Sequence, residues 1–392
     1  MKTVLLIDPL STGHHSIYLE KIASGYLHSG WTVVLAISSL DGDKDYVVSL
    51  LGKAGPSKLC IVPVDDARVK KTIAIGSQVR QEMAMRSLMS DIYKSASASR
   101  KIDYVFLPYV DYFLYAAGLL GSPFSGVRWG GVCMRPSFHY ERFDVAAPRV
   151  KYSATKRFLF SRFAKDKSLD RLFTIDPLLK RYVDKTWPAL SSKVRYVADP
   201  AELDGCVSQE AARSLLSIPE CSKVVLIYGA IDKRKGVEAL TDALIKCAEL
   251  SDVILLVVGK QSEWARGYFE SGGGAPLRDQ GRLVELNEFV SKSMEQLVLA
   301  ACDLVWVGYK GHYTMSGVLV LATLAGRQVI ATQDGLIGWF AREYKLGPVV
   351  DTEVPSQVER ALVLSLLAAK SYVANESFPD HGWGQLISSV VS

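Results

Sequence analysis

Short apolar runs rich in β-branched residues alternate with longer amphipathic runs along almost the whole of this 392-residue chain. This alternation predicts βα units around a parallel sheet, because a strand covered on both faces is continuously apolar while its crossover helix is amphipathic. In the first half the predicted strands are 3–8, 32–37, 59–63, 103–107, 127–133, 171–175 and 194–197. Predicted helices lie between them at 15–29, 75–99 and 111–119, with a further one opening at Asp176.

The same alternation begins again at residue 223. The predicted strands of the second half are 223–228, 252–258, 282–285, 303–307 and 328–332, and its helices are 236–249, 291–300 and 315–325. Because 198–222 is polar and irregular, we place a domain boundary near residue 200. The fold class is therefore α/β, with two Rossmann-like parallel-sheet domains at 1–200 and 201–377 and a C-terminal helix within 378–392.

Composition excludes several classes of protein. A hydrophobic content of 49% with 22% charged residues is typical of a globular chain. No apolar run reaches the roughly 18 residues that span a bilayer, and no signal-peptide pattern precedes the first strand, so we expect a cytoplasmic protein. The net charge of +5 is spread along the chain, and we expect no nucleic acid as a partner. The six cysteines are far apart and are interpreted as reduced core residues: Cys60, Cys133, Cys206, Cys221, Cys247 and Cys302.

The segment 149–171 departs from this average charge. It holds eight basic residues against two acidic ones, Asp166 and Asp170. Two interpretations remain open: a solvated basic helix that packs its aromatic residues inward, or a surface for an anionic membrane or a lipid-linked acceptor, which would make the protein peripheral at the inner face of a membrane. The apolar residues that share one helical face in this segment are Tyr152, Leu159, Phe160 and Phe163.

Open parallel sheets bind ligands beyond the carboxyl ends of their strands, so the first candidate site follows strand 3–8. Gly13 stands where the chain turns into a helix, whose free amides and positive dipole end favour an anion. Contact with phosphate or sugar and simple turn formation are both open for this glycine. His14 and His15 follow at once, and each has capping or surface exposure as its alternative role.

The second candidate site follows strand 223–228. Lys233, Arg234 and Lys235 precede Gly236 and the next helix, which concentrates positive charge at the carboxyl edge of the sheet. Such a cluster suits a diphosphate, whose negative oxygens accept charge-assisted hydrogen bonds from cationic side chains. A solvated basic turn is the alternative.

The third candidate site follows strand 303–307, where a glycine-containing loop leads to a helix that starts near Thr314. The amides around Ser316 and Gly317 are predicted to seat an anion, with Thr314 as a cap; alternatively Ser316 itself caps the helix. Past strand 103–107, Tyr109 and Asp111 are candidates on the acceptor side, and helix capping is the alternative for Asp111.

In their order and spacing these motifs resemble the GT-B glycosyltransferases, and among them the large retaining family 4. The segment GAIDKRKG at 229–236 has the spacing of that family's GRxxxxKG, so Lys235 matches its lysine and Ala230 stands in place of its arginine. Further similar segments are GHH at 13–15, VG at 258–259, the stretch 282–307, LATLAGRQVIATQDG at 321–335, GPVVD at 347–351 and FPDHGWGQLI at 378–387.

The resemblance implies two domains that face a cleft, with a final helix that crosses back to the first domain. It implies transfer from a UDP- or GDP-linked sugar to a glycan, lipid-linked or polysaccharide acceptor, with retention and with neither metal nor cofactor. Lys235 and Arg234 are the predicted catalytic residues. The predicted donor-binding residues are Gly13, Gly229, Lys233, Lys235, Tyr313, Thr314, Ser316 and Gly317. The predicted acceptor-binding residues are His14, His15, Asp111, Arg135 and His139.

Two departures from the family pattern leave alternatives open. The family's paired glutamates, which hold the sugar and the ribose, align with Tyr313 and Leu321, and its usual histidine after the last strands of the first domain is replaced by Arg135 and His139 nearby. A non-catalytic relative that binds a sugar or a partner enzyme is therefore the second hypothesis. A sugar-nucleotide epimerase of the same fold is the third, and it needs a carboxylate and histidine set that the sequence pattern does not assemble.

Overall fold

A computed structural model describes residues 2–10, 14–38, 45–55, 57–203, 205, 207–367 and 378–392, without the side chains of 14, 45, 46, 53 and 54. The chain forms two compact units. Unit 1 comprises Met1–His139, Arg149–Ala198 and Gly382–Ser392, and unit 2 comprises Tyr140–Pro148 and Asp199–His381. Across these described ranges, no helix combines the length and apolar character needed to cross a membrane.

Unit 1 is built on a parallel sheet of seven strands among its described residues, which confirms the predicted α/β class. The strand order is β3-β2-β1-β4-β5-β6-β7, and the first two strands are buried along their whole length. Its elements up to the last strand are β1 (Thr3–Asp8), α1 (His14–His28), β2 (Thr32–Ser38), α2 (Asp45–Ala54), β3 (Leu59–Val64), α3 (Asp66–Ile73), α4 (Gln78–Ser99), β4 (Tyr104–Leu107), α5 (Leu114–Leu120), β5 (Arg128–Cys133), α6 (Ser153–Ala164), β6 (Leu169–Thr174), α7 (Pro177–Thr186) and β7 (Val194–Tyr196).

Unit 2 repeats the architecture with six parallel strands in the described part of the chain, in the order β10-β9-β8-β11-β12-β13. Its core surrounds Trp306 and Phe269, both fully buried. Its elements are α8 (Gln209–Leu215), β8 (Lys223–Tyr228), α9 (Val237–Lys246), β9 (Val253–Val258), α10 (Glu263–Glu270), α11 (Ala275–Asp279), β10 (Leu283–Leu286), α12 (Lys292–Ala301), β11 (Leu304–Val307), α13 (Gly317–Leu324), β12 (Gln328–Thr332), α14 (Gly335–Glu343), β13 (Val349–Val350) and α15 (Pro355–Leu367).

The last helix, α16 (Trp383–Val391), belongs to unit 1. Tyr26 donates its hydroxyl to the carbonyl of Val390 at 3.2 Å, and the rings of Tyr18 and Trp383 meet edge to face. A side chain at Gly25 would overlap Ile387, so the glycine lets α1 and α16 approach closely. The final helix thus completes the first unit, as the resemblance implies.

The segment Tyr140–Pro148 differs from the predicted division at residue 200. It lies inside the predicted first domain, yet its contacts place it in unit 2. Tyr140 donates its hydroxyl to the carbonyl of Tyr313 at 3.1 Å, and the amide of Gly335 donates to the carbonyl of Ala146 at 2.7 Å. The first bond joins a side chain to the backbone across 173 residues, and the second joins two backbone groups across 335 − 146 = 189 residues. No local pattern in the sequence predicts either bond.

A glycine sets the packing of α5 against α6. A Cβ at Gly118 would overlap the carbonyl oxygen of Leu159, and a backbone atom cannot swing away as the end of a flexible side chain can. Gly267 in α10 is the opposite case, since a Cβ there meets no heavy atom within 4 Å outside its own helix backbone.

We expect Gly118→Ala to destabilise unit 1 by about 1–3 kcal/mol, because the added methyl group forces the two helices apart. Gly267→Ala is the matched control and should stabilise unit 2 by about 0.5–1 kcal/mol through its higher helix propensity. Differential scanning calorimetry of the two variants measures both effects. A Gly118→Ala protein that melts like the wild type would show that α5 and α6 are not in close contact.

Candidate functional site

The carboxyl end of β8 leads into a tight turn that holds the predicted cationic cluster. Gly229 follows the strand with φ of 100°, and Asp232 accepts a hydrogen bond from the amide of Arg234 at 2.9 Å. Gly236 has φ of 64°, and a Cβ there would overlap the carbonyl of Gly308. Only glycine tolerates both the conformation and the contact, so the turn is held directly against the loop after β11.

Of the three cationic residues of this turn, Lys235 is the buried one, with 8% of its surface exposed. Its ammonium donates to the carbonyl of Tyr228 at 2.8 Å and to the hydroxyl of Tyr309 at 2.6 Å. Trp306 donates its indole N–H to the Lys235 carbonyl at 2.8 Å and so anchors the backbone. Among the ion pairs of the described residues none includes Lys235. A buried ammonium whose hydrogen-bond partners are two neutral oxygens has no counter-ion among the described residues, and an anionic ligand would supply one.

Gly229 leaves the Lys235 ammonium uncovered on one side. A Cβ at this glycine would lie 3.3 Å from Nζ and 3.9 Å from Val318, which belongs to the first turn of α13. The lysine, the glycine and the N-terminus of α13 are therefore neighbours. The structure brings together the second and third candidate sites of the sequence.

The N-terminus of α13 lacks the side-chain cap that the sequence suggested. Ser316 occupies the N-cap position without a capping hydrogen bond, and its hydroxyl lies 3.5 Å from that of Tyr309. Thr314 contacts the ring of His312 at 3.3 Å instead. Both capping interpretations are wrong. Within the described residues the amides of Gly317 and Val318 have no acceptor, so they remain available to an anion.

The other two cations of the turn are exposed. Arg234 pairs with Asp232 at 3.0 Å and has 59% of its side chain exposed, while the Lys233 ammonium lies 5.3 Å from the ring centroid of Trp264. Their exposure to solvent distinguishes these two side chains from that of Lys235.

Sequence analysis missed Tyr309 and His312, which complete the surroundings of Lys235. Burial lowers the pKa of His312, and the positive charges of Arg234 and Lys235 lower it further, whereas its contact with the Met315 carbonyl raises it. Tyr313 lies next in the chain, and its backbone accepts hydrogen bonds from Tyr140 and Leu336. The sequence indicates these residues only through their position, because they lie in the loop that directly follows a buried strand.

The carboxyl edge of unit 1 holds a second cluster. Asp8 is the last residue of β1 and is 2% exposed, and its Oδ2 lies 2.8 Å from Nδ1 of His15 in the first turn of α1. The His15 ring stacks on Tyr109 with centroids 3.8 Å apart. Its Nε2 lies 3.4 Å from the hydroxyl of Tyr112. Of the first predicted site, Gly13 and the side chain of His14 lie outside the described residues.

Asp111 and Arg135 join this cluster from two loops. The Asp111 carboxylate accepts from the amides of Met134 at 3.0 Å and Arg135 at 2.9 Å, so it ties β4 to β5 and does not cap α5. Burial raises the pKa of Asp111, and the two amide hydrogen bonds oppose that shift. The exposed guanidinium of Arg135 lies over the ring of Tyr112, 4.9 Å from its centroid.

His139, a predicted acceptor-binding residue, is fully buried. Its Nε2 lies 2.9 Å from Asp176, whose other oxygen caps α7 by accepting from the amides of Leu178 and Leu179. A side chain with no exposed surface cannot contact an acceptor substrate. The placement favours a structural role for His139.

We expect His139→Ala to destabilise unit 1 by about 2–4 kcal/mol, because it leaves the buried Asp176 carboxylate without its partner. His28→Ala is the control, since His28 is exposed at the end of α1 and should change stability by less than about 0.5 kcal/mol. Urea unfolding followed by circular dichroism compares the two. Equal midpoints for both variants would contradict the structural role.

The basic segment 149–171 forms α6 and its flanks. Phe160 and Phe163 are buried as predicted, but Tyr152 is 81% exposed, so the inward prediction is wrong for this residue. Phe158 is 59% exposed as well, and the Arg162 guanidinium lies 6.0 Å from its ring centroid. We call five of the exposed side chains of this segment the basic–aromatic face: Lys151, Tyr152, Phe158, Arg162 and Lys165.

No cluster of three or more His, Cys, Asp or Glu side chains that could hold a metal ion is found in the described part of the chain.

No protein-family description and no curated protein sequence matches the chain. The chain is, however, similar in fold to several solved structures. A glycosyltransferase from Rickettsia africae superimposes with a TM-score of 0.67 at 12% identity, over 100% of this chain and 97% of its own. Sucrose-phosphate synthase from Thermosynechococcus elongatus gives 0.65 at 15% identity, over 100% and 95%. Anabaena HepE, solved with UDP and glucose, gives 0.62 at 14% identity, over 99% and 95%. The protein therefore has the GT-B glycosyltransferase fold.

Proposed function

We propose that this protein is a glycosyltransferase that moves a sugar from a UDP- or GDP-linked donor to a hydroxyl of a glycan, lipid-linked or polysaccharide acceptor. The observation that carries the proposal is the buried ammonium of Lys235, which is held by two neutral oxygens at the carboxyl edge of a parallel sheet. A diphosphate supplies the negative charge that this site lacks. Anabaena HepE has the same fold and binds UDP, which supports this class of donor.

The diphosphate is proposed to accept hydrogen bonds from Lys235 and from the first amides of α13. Gly229 provides the space beside the ammonium, because any larger residue would fill it. As the bond between sugar and phosphate breaks, charge grows on the leaving oxygen, and donors already oriented in a partly buried site stabilise it. Arg234 and Lys233 would add charge from the exposed side, and Tyr313, Thr314, Ser316 and Gly317 would line the donor.

The residues that the resemblance associates with the sugar and the ribose carry no carboxylate here. Leu321 is buried within α13, with 8% of its surface exposed. We therefore propose that the diphosphate supplies most of the affinity for the donor. UDP should bind this protein nearly as tightly as a UDP-sugar does.

We expect Lys235→Ala to weaken UDP binding about 10- to 100-fold, which corresponds to loss of one charge-assisted hydrogen bond of about 1.5–3 kcal/mol. Lys233→Ala removes an exposed charge from the same turn and should change the affinity less than about threefold. Isothermal titration calorimetry with UDP and with GDP measures both, and circular dichroism confirms that each variant is folded. Unchanged affinity in Lys235→Ala would remove this residue from the donor site.

The second candidate function is a non-catalytic protein that binds a sugar or a partner enzyme, and the substitutions at 313 and 321 favour it. Incubation with UDP-glucose, UDP-galactose, UDP-N-acetylglucosamine and GDP-mannose separates the two functions. Release of nucleoside diphosphate supports the enzyme, and binding without release supports the second candidate. We also propose that transfer needs no metal or cofactor, so EDTA should leave the rate unchanged. Retention at the anomeric carbon is the outcome that the resemblance implies.

The basic–aromatic face supports a lipid-linked acceptor and a peripheral position at the inner, cytoplasmic face of a membrane. Tyr152 and Phe158 present exposed rings beside Lys151 and Arg162. Rings of this kind insert at the headgroup level, while the cations attract anionic lipid. The apolar and the electrostatic contributions act on the same short segment.

We expect the double variant Tyr152→Ala/Phe158→Ala to bind vesicles of phosphatidylglycerol and phosphatidylcholine at least about fivefold more weakly than the wild type, because two buried rings are lost. Phe289→Ala is the matched control, since Phe289 is also 81% exposed but lies in unit 2. Vesicle co-sedimentation measures binding. If all three proteins bind alike, or if binding ignores the anionic lipid, the face is an ordinary solvated surface.

A further inference from the structure

We infer that His312 takes up a proton at Nδ1 when the diphosphate of the donor binds beside it, so that donor binding is coupled to pH. This inference rests on the proposed glycosyltransferase function and names a regulation of the same site. His312 lies in the loop between β11 and α13, within unit 2.

His312 lies beside the groups that are proposed to contact the diphosphate. Its ring meets that of Tyr309 edge to face, with centroids 5.8 Å apart. The ammonium of Lys235 lies over the same Tyr309 ring, 4.2 Å from its centroid. The imidazole of His312 also contacts the carbonyl of Met315, in the segment that leads into the first turn of α13. An anion bound by Lys235 and by the amides of α13 is therefore close to the imidazole.

The contacts of His312 determine which of its nitrogens is protonated. Nε2 lies 3.1 Å from the carbonyl oxygen of Met315, and a carbonyl oxygen only accepts hydrogen bonds, so Nε2 carries a hydrogen. The hydroxyl of Thr314 approaches the same nitrogen at 3.3 Å. Nδ1 forms no hydrogen bond with another described residue and is not among their buried unpaired polar atoms, so solvent reaches it. A second proton must therefore occupy Nδ1.

The surroundings of His312 favour the neutral imidazole in the free protein. Burial lowers the pKa of His312 below its ordinary value, and the positive charges of Arg234 and Lys235 lower it further. The hydrogen bond to the Met315 carbonyl and the negative charge of Asp232 oppose this shift. The charged groups all belong to the turn that follows β8, and Met315 belongs to the same loop as the histidine.

A bound diphosphate favours the protonated imidazole. Its negative charge offsets the charges of Arg234 and Lys235, which repel a second proton on His312, and it attracts that proton directly. The pKa of His312 is therefore higher in the complex than in the free protein. The proton comes from the solvent when the donor binds and returns when the nucleoside diphosphate leaves. The histidine forms and breaks no covalent bond with the donor.

Donor affinity should increase as the pH falls. A ligand that raises the pKa of a group binds more tightly to the protonated protein, because the proton and the ligand favour the same state. The affinity should rise as the pH falls through the pKa of the complex and should level off below the pKa of the free protein. Each unit by which the pKa rises corresponds to about a tenfold gain in affinity.

UDP-glucose is the probe that isolates this proton. Both of its phosphates are esterified, so they do not titrate near neutral pH, whereas the terminal phosphate of UDP does. Isothermal titration calorimetry of the full-length protein covers about pH 5 to 8, where histidines titrate, in buffers that differ in ionisation enthalpy. The dependence of the heat on the buffer gives the number of protons taken up. We expect the affinity to rise at least about threefold across this range, with uptake of about 0.3 proton or more at the midpoint.

The variant His312→Gln removes the titrating group but keeps an N–H that can donate to the Met315 carbonyl. It should lose both the proton uptake and the dependence of UDP-glucose affinity on pH. His28→Gln is the matched control, since His28 is exposed at the end of α1, and it should keep both. A purely structural role for His312 would instead weaken binding equally at every pH.

The ¹⁵N spectrum of His312 gives a second readout, and its resonances are those that His312→Gln lacks. Addition of UDP-glucose should raise the pKa of this histidine and place the new proton on Nδ1. Arg234→Ala should raise the same pKa in the free protein. The reason is that a positive charge is lost and Asp232 loses its ion-pair partner.

The outcomes separate this inference from the proposed function. Binding of UDP-glucose without proton uptake, or with undiminished uptake in His312→Gln, would overturn the inference and leave the donor site at Lys235 intact. Failure of UDP-glucose and of GDP-mannose to bind at any pH would contradict that donor site. The proposed function and the inference that rests on it would then both be wrong.

Discussion

All strands of a parallel sheet end at the same edge. This constraint determines where ligand-binding side chains can lie in both units. The strands β1, β2 and β9 have no exposed residue. The candidate ligand-binding side chains therefore lie at the ends of such strands and in the loops that follow them. There the free amides of the next helix meet them.

The charged side chains at the carboxyl edges of the two sheets differ in their partners. At the edge of unit 1, the buried carboxylate of Asp8 is matched by His15, and the carboxylate of Asp111 by backbone amides. At the edge of unit 2, the ammonium of Lys235 donates to two neutral oxygens, and none of the ion pairs between described residues includes it. Because an isolated charge in a partly buried site is costly, the second arrangement calls for an anion and the first does not. This difference agrees with the proposal that the diphosphate of the donor binds in unit 2.

Residues of the same type differ in burial and in their contacts. Lys233 and Lys235 are two positions apart, yet one is exposed against Trp264 and the other is enclosed by Tyr228 and Tyr309. The spacing of the motif pointed to Lys235, but no local pattern reveals its partners, because Tyr309 lies more than 70 residues away. Asp8 was missed for a related reason. In the sequence Asp8 is only the last residue of a predicted strand. The fold places the ring of His15 against its carboxylate.

The sequence alone determined the class of fold, the positions of most strands, and the three loops at which to look for a site. It could do so because periodicity and apolar runs are local properties that the backbone must obey. Tertiary structure decided which of the candidate side chains are enclosed, which are paired and which stay exposed. It buried His139, left Tyr152 in solvent, moved 140–148 into unit 2 and left α13 without a side-chain cap. Those outcomes depend on contacts between residues far apart in the chain, and the free energy of a charge or a ring depends on such surroundings more than on its neighbours in sequence.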